Sequence, residues 1–164
     1  MSQVTSGLHR ILSNPVIYSG FQWMMGADSG RKNLIKNYIR PEPGMKILDI
    51  GCGPADILGY LPDVDYWGFD ISDSYIKQAS NRFSDRGRFE CKVLNLSDIE
   101  GLPKFDIVLG LGLLHHLDDE AAINIINLSA MALNVGGRLL TIDPCFDVSQ
   151  SFISKLLIDR KSVV

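Results

Sequence analysis

The residues best suited to chemistry lie where apolar segments of the chain end, and the first group, residues 49–53, is Asp-Ile-Gly-Cys-Gly. The apolar run Ile47, Leu48 and Ile50 predicts a buried strand, and the residues from Pro54 onward predict a helix. A strand that passes through a glycine turn into a helix leaves backbone N–H groups that can meet an electron-rich ligand. Glycine also lets a ligand approach the main chain closely. The sequence therefore predicts a ligand site at the carboxyl end of a strand, with an ordinary strand–turn–helix connection as the alternative.

A second acidic residue, Asp70, ends the run Asp65–Asp70, which predicts another strand. The separation of Asp49 and Asp70 matches one strand–helix–strand unit, and such a unit places two parallel strand ends side by side. A carboxylate at that place can accept hydrogen bonds from both hydroxyls of a ribose. The alternative is that Asp70 caps the helix that begins near Ser72.

Two adjacent histidines, His115 and His116, follow the apolar run that ends at Gly110. Imidazole changes charge near neutral pH and can act as a general base for an O–H, N–H or C–H acceptor. The alternative is that both rings bond the backbone at a helix start. No carboxylate or cysteine lies at a recognisable ligand spacing from these histidines, so we expect no metal site.

Composition limits the class of protein. At 164 residues the chain fits one globular domain, with 46% apolar and 21% charged residues. The net charge is −3, so no basic surface for nucleic acid is predicted. No apolar run is long enough for a membrane span, and the first ten residues lack the apolar core of a signal peptide. Three scattered cysteines predict neither a disulfide framework nor a C-x-x-C site, and we expect a cytoplasmic protein.

Strand and helix patterns alternate along the chain, which predicts an α/β fold with a doubly wound, mostly parallel sheet. We expect residues 1–44 to form an N-terminal helical cap and residues 45–164 to form the α/β core, within one compact domain. The remaining predicted strands are 88–95, 104–110 and 138–143, and the predicted helices are about 29–40, 72–83, 118–133 with a glycine C-cap at 134–137, and 149–160.

The spacing Asp49-x-Gly51-x-Gly53-x-Ala55 resembles motif I of the class I S-adenosylmethionine-dependent methyltransferases, with Ala55 in place of the usual third glycine. The run from residue 105 through His115-His116-Leu117 resembles motif IV and the turn after it in small-molecule methyltransferases. The resemblance implies transfer of a methyl group from S-adenosylmethionine to a small-molecule acceptor, with His115 directed toward the methyl group as a catalytic residue. It also implies cofactor contacts from ten residues: Asp49, Gly51, Cys52, Gly53, Asp70, Ile71, Asn95, Leu96, Gly110 and Leu111.

The same resemblance implies that the N-terminal segment closes over the cofactor. Tyr18, Trp23 and Arg31 are then candidate lid residues, with aromatic core packing and a solvated arginine as the alternative. Asp98 is a substitute for Asn95 at the adenine. The resemblance stops at the C-terminus, because the family's sheet has seven strands and only residues 161–164 follow the last predicted helix. We therefore expect five strands with the sixth and seventh missing, and a homodimer formed through the exposed edge of the fifth strand.

Two other functions remain open from the sequence. The first is a binding module that holds S-adenosylmethionine without catalysis, which the early C-terminus suggests. The second is a nicotinamide oxidoreductase, which is disfavoured because Asp56 occupies the place of the third glycine in G-x-G-x-x-G and Asp49 precedes the first.

Overall fold

The computed structural model describes residues 28–143. Its centre is a five-stranded parallel sheet in the order β3-β2-β1-β4-β5. The strands are β1 (Lys46–Ile50), β2 (Asp65–Asp70), β3 (Gly87–Cys91), β4 (Phe105–Leu111) and β5 (Leu133–Ile142). The helices are α1 (Asp28–Leu34), which continues as a π-helical turn (Ile35–Ile39), a 3-10 helix (Asp56–Tyr60), α2 (Asp73–Phe83), α3 (Leu96–Gly101), a 3-10 turn (Leu114–His116) and α4 (Asp119–Ala132). The predicted α/β class and the five parallel strands are confirmed.

Helices cover both faces of the sheet because its central strands are apolar on both sides. In β1, Ile47 belongs to one core and the next residue, Leu48, belongs to the other, and both are completely buried. The first core is closed by residues of α1, the π-helical turn, the 3-10 helix and α2: Leu34, Ile39, Leu58 and Ala79. The second is closed by residues of α3 and α4: Ile99, Leu128 and Ala132. The sheet is therefore doubly wound, as predicted.

Three predicted boundaries are wrong. The segment after the glycine turn forms a short 3-10 helix instead of a full helix. The third strand ends at Cys91, and Asn95 instead caps α3, because its side chain accepts from the Asp98 backbone N–H in a capping box.

The third boundary concerns the glycines before the fifth strand, which do not cap α4. The helix ends at Ala132, and β5 begins at Leu133 in extended conformation. The register then shifts between the pairs Phe105–Leu133 and Ile107–Arg138, so the extra residues form a bulge in β5 that contains Gly136 at φ +82°.

Several predictions fall outside residues 28–143: most of the N-terminal cap, with Tyr18 and Trp23, and the helix at 149–160. Within the described strands, β3 and β5 form the two outer positions of the sheet, and a homodimer through β5 stays a prediction. None of the helices in this part of the chain combines the length and apolar character that crossing a bilayer requires.

Candidate functional site

The glycine turn after β1 is held against the end of β2. Gly51 and Gly53 adopt positive φ of +74° and +54°. Backbone N–H groups of Gly51 and Cys52 donate to the Phe69 carbonyl at 2.8 and 3.1 Å, and that of Gly53 donates to Asp70 Oδ2 at 2.9 Å. The prediction that these groups are free for a ligand is therefore wrong. The hydrogen bonds instead fix the shape of the turn.

Ala55, at the third position of the glycine motif, has a backbone conformation that glycine adopts without strain. Ala55 adopts φ +55°, a left-handed conformation that costs a residue with a side chain roughly 1–2 kcal/mol. Its methyl group is completely buried in the first core.

The Cys52 side chain is also buried, and it faces β2, because a Cβ added to Gly68 would lie 2.8 Å from Cys52 Sγ.

Asp49 carries a buried carboxylate with one unused oxygen. The Tyr66 hydroxyl donates to Asp49 Oδ2 at 2.5 Å, whereas Oδ1 is buried and has no hydrogen-bond partner among the described residues. Burial raises the pKa of Asp49 to about 7; the Tyr66 hydrogen bond opposes this rise and the charge of Asp70 adds to it. A buried acceptor left unpaired costs about 1–3 kcal/mol, so a ligand donor at Oδ1 would stabilise the site.

Asp70 connects the turn to the start of α2. Its Oδ2 accepts from Gly53 N–H and its Oδ1 accepts from Ser72 N–H at 2.8 Å. Burial raises the pKa of Asp70, and the hydrogen bonds from Ser72 and Gly53 oppose that rise. Each carboxylate oxygen has a second lone pair, so the ribose role and the alternative role at the start of α2 are compatible. Ile71, a predicted cofactor residue, lies between Asp70 and Ser72, which are joined by a hydrogen bond.

Asn95 and Leu96 lie at the start of α3. Asn95 Oδ1 accepts from Asp98 N–H at 3.1 Å and from the Ser97 hydroxyl at 2.7 Å. Leu96 is exposed. Asp98 itself accepts from Lys92 Nζ at 2.8 Å. An Asn95 contact to adenine would thus come from its NH₂ group, since its oxygen already accepts two hydrogen bonds, and the assignment stays a prediction.

The turn after β4 lies over the glycine turn. Gly110 and Leu111 end β4, and Gly112 N–H donates to the Ile142 carbonyl at 2.7 Å. A Cβ added to Gly51 would lie only 3.1 Å from Leu113 Cδ1. The glycine turn after β1, with its predicted cofactor residues, and the histidine segment are therefore neighbours.

His115 forms a hydrogen-bonded pair with Asp143 at the end of β5. Asp143 Oδ1 lies 2.9 Å from His115 Nδ1 and 3.1 Å from its backbone N. Burial acts to raise the pKa of Asp143, but the hydrogen bonds and charge of His115 outweigh it and hold that pKa below its ordinary value. His115 Nε2 is buried and has no hydrogen-bond partner within the described residues, and the His116 ring lies over the His115 ring at a centroid separation of 3.7 Å.

Sequence reasoning missed the partners of these residues. Tyr66 was predicted only as a strand residue and Asp143 only as a strand end. Arg31, a candidate lid residue, pairs with Asp56 at 3.5 Å, and Arg82 pairs with the same carboxylate at 2.5 Å. Within residues 28–143, no cluster of three or more His, Cys, Asp or Glu side chains is arranged to hold a metal ion.

Comparisons with known proteins agree with this geometry. The family model described as "Methyltransferase domain" matches residues 48–139, more than half of the chain. The ubiquinone biosynthesis O-methyltransferase of Idiomarina loihiensis is 27% identical over 114 residues, which cover 66% of this chain and 46% of that protein. The eEF1A lysine and N-terminal methyltransferase of Mus musculus is 31% identical over 150 residues, which cover 84% of this chain and 20% of that protein. The chain thus spans less than half the length of these two relatives.

A solved structure supports the fold. The methyltransferase from Geobacter sulfurreducens, crystallised with S-adenosyl-L-homocysteine, superposes with a TM-score of 0.55 and 22% identity, covering 79% of this chain and 55% of that one. The glycine turn, the strand order and the matched family model lead to the same assignment. The chain belongs to the methyltransferase-domain family of the class I, S-adenosylmethionine-dependent methyltransferases.

Proposed function

We propose that the chain binds S-adenosylmethionine at the ends of β1 and β2 and transfers its methyl group to a small-molecule acceptor. The observation that carries this proposal is the arrangement of two carboxylates, Asp49 and Asp70, around a glycine turn that ends two neighbouring parallel strands. The unpaired Asp49 Oδ1 fits a donor such as the cofactor's amino group. When bound, the cofactor supplies an electrophilic methyl group on a sulfonium.

The residues of the chain then have separate roles in this proposal. Asp70 accepts from the ribose hydroxyls, and the main chain of residues 51–53 lies against the methionine part. Gly110 and Leu111, at the end of β4, contact the cofactor through their main chain. Alignment of the acceptor with the methyl group can contribute roughly 7–11 kcal/mol to lowering the barrier. His115, on the turn that lies over the glycine turn, accepts a proton from the acceptor.

The matched relatives divide between two acceptor classes. One matched relative is named for ubiquinone biosynthesis and the other for a protein substrate. The net charge of −3 does not favour a nucleic-acid acceptor. We favour a small molecule because the histidine segment resembles that of small-molecule methyltransferases; a binding module without catalysis is the alternative.

Calorimetric titration with S-adenosyl-L-homocysteine tests cofactor binding. We expect Asp70→Ala to weaken binding by about one to two decades, since a charge-assisted hydrogen bond contributes roughly 1.5–3 kcal/mol. Asp70→Asn, which keeps one acceptor oxygen, should lose less. Asp73→Ala is the matched control, because Asp73 is an exposed acid at the start of α2 whose carboxylate pairs with Lys77.

Equal affinity of the wild type and Asp70→Ala would show that the ribose assignment is wrong. Tighter binding of NAD than of S-adenosyl-L-homocysteine would favour an oxidoreductase. Release of S-adenosyl-L-homocysteine in the presence of a small-molecule panel separates the enzyme from the binding module, and a peptide panel run in parallel separates the two acceptor classes.

A further inference from the structure

The contacts of Asp143 fix which nitrogen of His115 carries a proton. A single carboxylate oxygen, Oδ1, lies within hydrogen-bond distance of both the backbone N and Nδ1 of His115. An ionised carboxylate can only accept, so the proton of this bond belongs to Nδ1. The lowered pKa of Asp143 is consistent with an ionised carboxylate at neutral pH. In the neutral ring, the lone pair therefore lies on Nε2.

The environment of Nε2 indicates a ligand. Nε2 is buried and lacks a hydrogen-bond partner in the described part of the chain, although the His115 side chain as a whole is 16% exposed. Leaving a buried polar atom unpaired costs about 1–3 kcal/mol, and native proteins retain few such atoms. The turn that carries His115 also contacts the glycine turn through Leu113 and Gly51. A molecule bound beside that turn is the natural partner for Nε2.

We propose that Asp143 is a positioning residue that holds the His115 ring in its Nδ1–H tautomer, so that Nε2 takes the proton released by a hydroxyl acceptor on methylation. This inference rests on the proposed function. Asp143 directly follows β5, whereas His115 lies in the 3-10 turn after β4, and the second hydrogen bond, from the His115 backbone, holds the carboxylate in place. The two hydrogen bonds together restrict the orientations of the His115 ring and of the Asp143 carboxylate.

The step balances without another reagent. A lone pair of the acceptor oxygen forms the O–CH₃ bond, and the S–CH₃ bond breaks with its electron pair passing to sulfur. The O–H proton passes to His115 Nε2, which forms an imidazolium beside the Asp143 carboxylate, and it then leaves to solvent. A phenolic or enolic hydroxyl, with an ordinary pKa of about 10 for a phenol, gives up its proton to an imidazole more readily than an aliphatic alcohol does.

The charged and titratable groups around the ring come from two elements of the described structure. Asp143 approaches from β5, and His116 lies over the ring from the same 3-10 turn. Asp118, the nearest acid along the chain, is directed to α4, because its Oδ1 accepts from Ala121 N–H at 2.8 Å. Asp143 is thus the acid bonded to the His115 ring.

Long-range ¹H–¹⁵N NMR of the full chain without cofactor measures the tautomer directly. We expect Nδ1–H for His115 in the wild type. We expect Asp143→Ala to lose this preference and Asp143→Asn to retain it, because the asparagine oxygen can still accept. Asp106→Asn is the matched control, because Asp106 is also half-buried and accepts from Lys46 N–H and Asn134 Nδ2, but at the opposite end of β4.

Turnover of a phenol panel gives the second readout. We expect Asp143→Ala to lower kcat for phenol and catechol by up to about 100-fold, with the KM for S-adenosylmethionine unchanged. The loss should be small for 4-nitrophenol, which is largely ionised above neutral pH and needs no base. Asp106→Asn should leave both the tautomer and kcat unchanged.

Three results would overturn the inference: an Nε2–H tautomer in the wild type, an unchanged tautomer in Asp143→Ala, or equal loss of kcat in Asp143→Ala and Asp106→Asn. Methylation of no hydroxyl compound while S-adenosyl-L-homocysteine still binds would reject the hydroxyl acceptor. Failure of the proposed function itself appears separately, as absent binding of S-adenosyl-L-homocysteine with the tautomer intact.

Discussion

At the residue scale, Asp49 combines burial, one strong hydrogen bond and one unused oxygen. The residue is 2% exposed, and Tyr66 donates a hydrogen bond to its carboxyl group from the neighbouring strand β2. Burial raises its pKa from the ordinary value of 3.8 to about 7. Between these two values the folded protein keeps a proton that the unfolded chain has lost. The free energy of unfolding therefore falls as the pH rises toward about 7, and this contribution is constant above it.

Asp49→Asn should remove this pH dependence. The free energies of unfolding of the wild type and Asp49→Asn are measured in urea without ligand. Between about pH 5 and pH 7, we expect the wild-type value to fall relative to the Asp49→Asn value. The fall should be at most about 1.4 kcal/mol per pH unit. Asparagine has the same shape, can accept from Tyr66, and does not titrate. Asp70 has a raised pKa as well and remains in both proteins, so the difference isolates Asp49.

Asp73→Asn serves as the control for the loss of one surface carboxylate, since Asp73 is exposed. Its pH profile should run parallel to that of the wild type. Parallel profiles for the wild type and Asp49→Asn would contradict a raised pKa at Asp49.

Individual site residues differ in how far the sequence reveals them. Asp49 and Asp70 were predicted because parallel strands bring their carboxyl ends to one edge, which depends only on strand order. The partner of His115, Asp143, and the partner of Asp49, Tyr66, depend on side-chain directions across different strands. Periodicity does not encode those directions. The same limit explains why the turn amides of Gly51 and Cys52, predicted to be free, are bound to Phe69.

At the scale of elements, Asp56 ties two helices to the glycine turn. Arg31 of α1 and Arg82 of α2 both pair with its carboxylate, and Arg82 also donates to the Pro54 carbonyl at 3.3 Å. The Arg31 side chain is 15% exposed and the Asp56 side chain 21%. Asp56, which occupies the place of the third glycine of a dinucleotide motif, therefore has a structural role. It anchors α1 beside the segment that follows the turn.

Removing one arginine tests this anchor. We expect Arg31→Ala to lower the free energy of unfolding by about 1–3 kcal/mol, between the values for exposed and buried pairs. Arg31 also lies over the Tyr60 ring, 5.7 Å from its centroid, which adds to the loss. Urea denaturation measures the change.

The neighbouring residue provides the control. Lys32 pairs with Asp28 on the same helix, but both side chains are well exposed, at 65% and 63%. Lys32→Ala should therefore leave the free energy of unfolding close to that of the wild type. Equal costs for the two substitutions would mean that the Arg31 pair does not anchor α1.

The element boundaries that the sequence did not predict share a physical cause. Strands β1, β2 and β4 are mainly apolar, and their positions were predicted closely. The exceptions are short or irregular segments where a local hydrogen bond or a bulge decides the structure, such as the capping box at Asn95 and the bulge that contains Gly136. Such features depend on a neighbouring strand or on one side-chain rotamer.

At the scale of the whole molecule, the sheet separates two apolar cores. Ile47 in β1 and Ile107 in β4 are register partners in the first core. Ile99 in α3 belongs to the second core, on the other face of the sheet. All three side chains are at most 2% exposed. The doubly wound architecture therefore predicts which pairs of core substitutions interact.

Ile→Val substitutions test this separation, because each should cost about 0.5–1.5 kcal/mol. We expect the costs of Ile47→Val and Ile99→Val to add within about 0.3–0.5 kcal/mol in the double variant, since the sheet lies between them. Ile47→Val and Ile107→Val should deviate from additivity by more than that, because the two positions are neighbours in one core and can share the space that the lost methyl groups leave. Urea unfolding of all single and double variants measures both interaction energies. Equal interaction energies for the two pairs would show that the faces of the sheet do not act as separate cores.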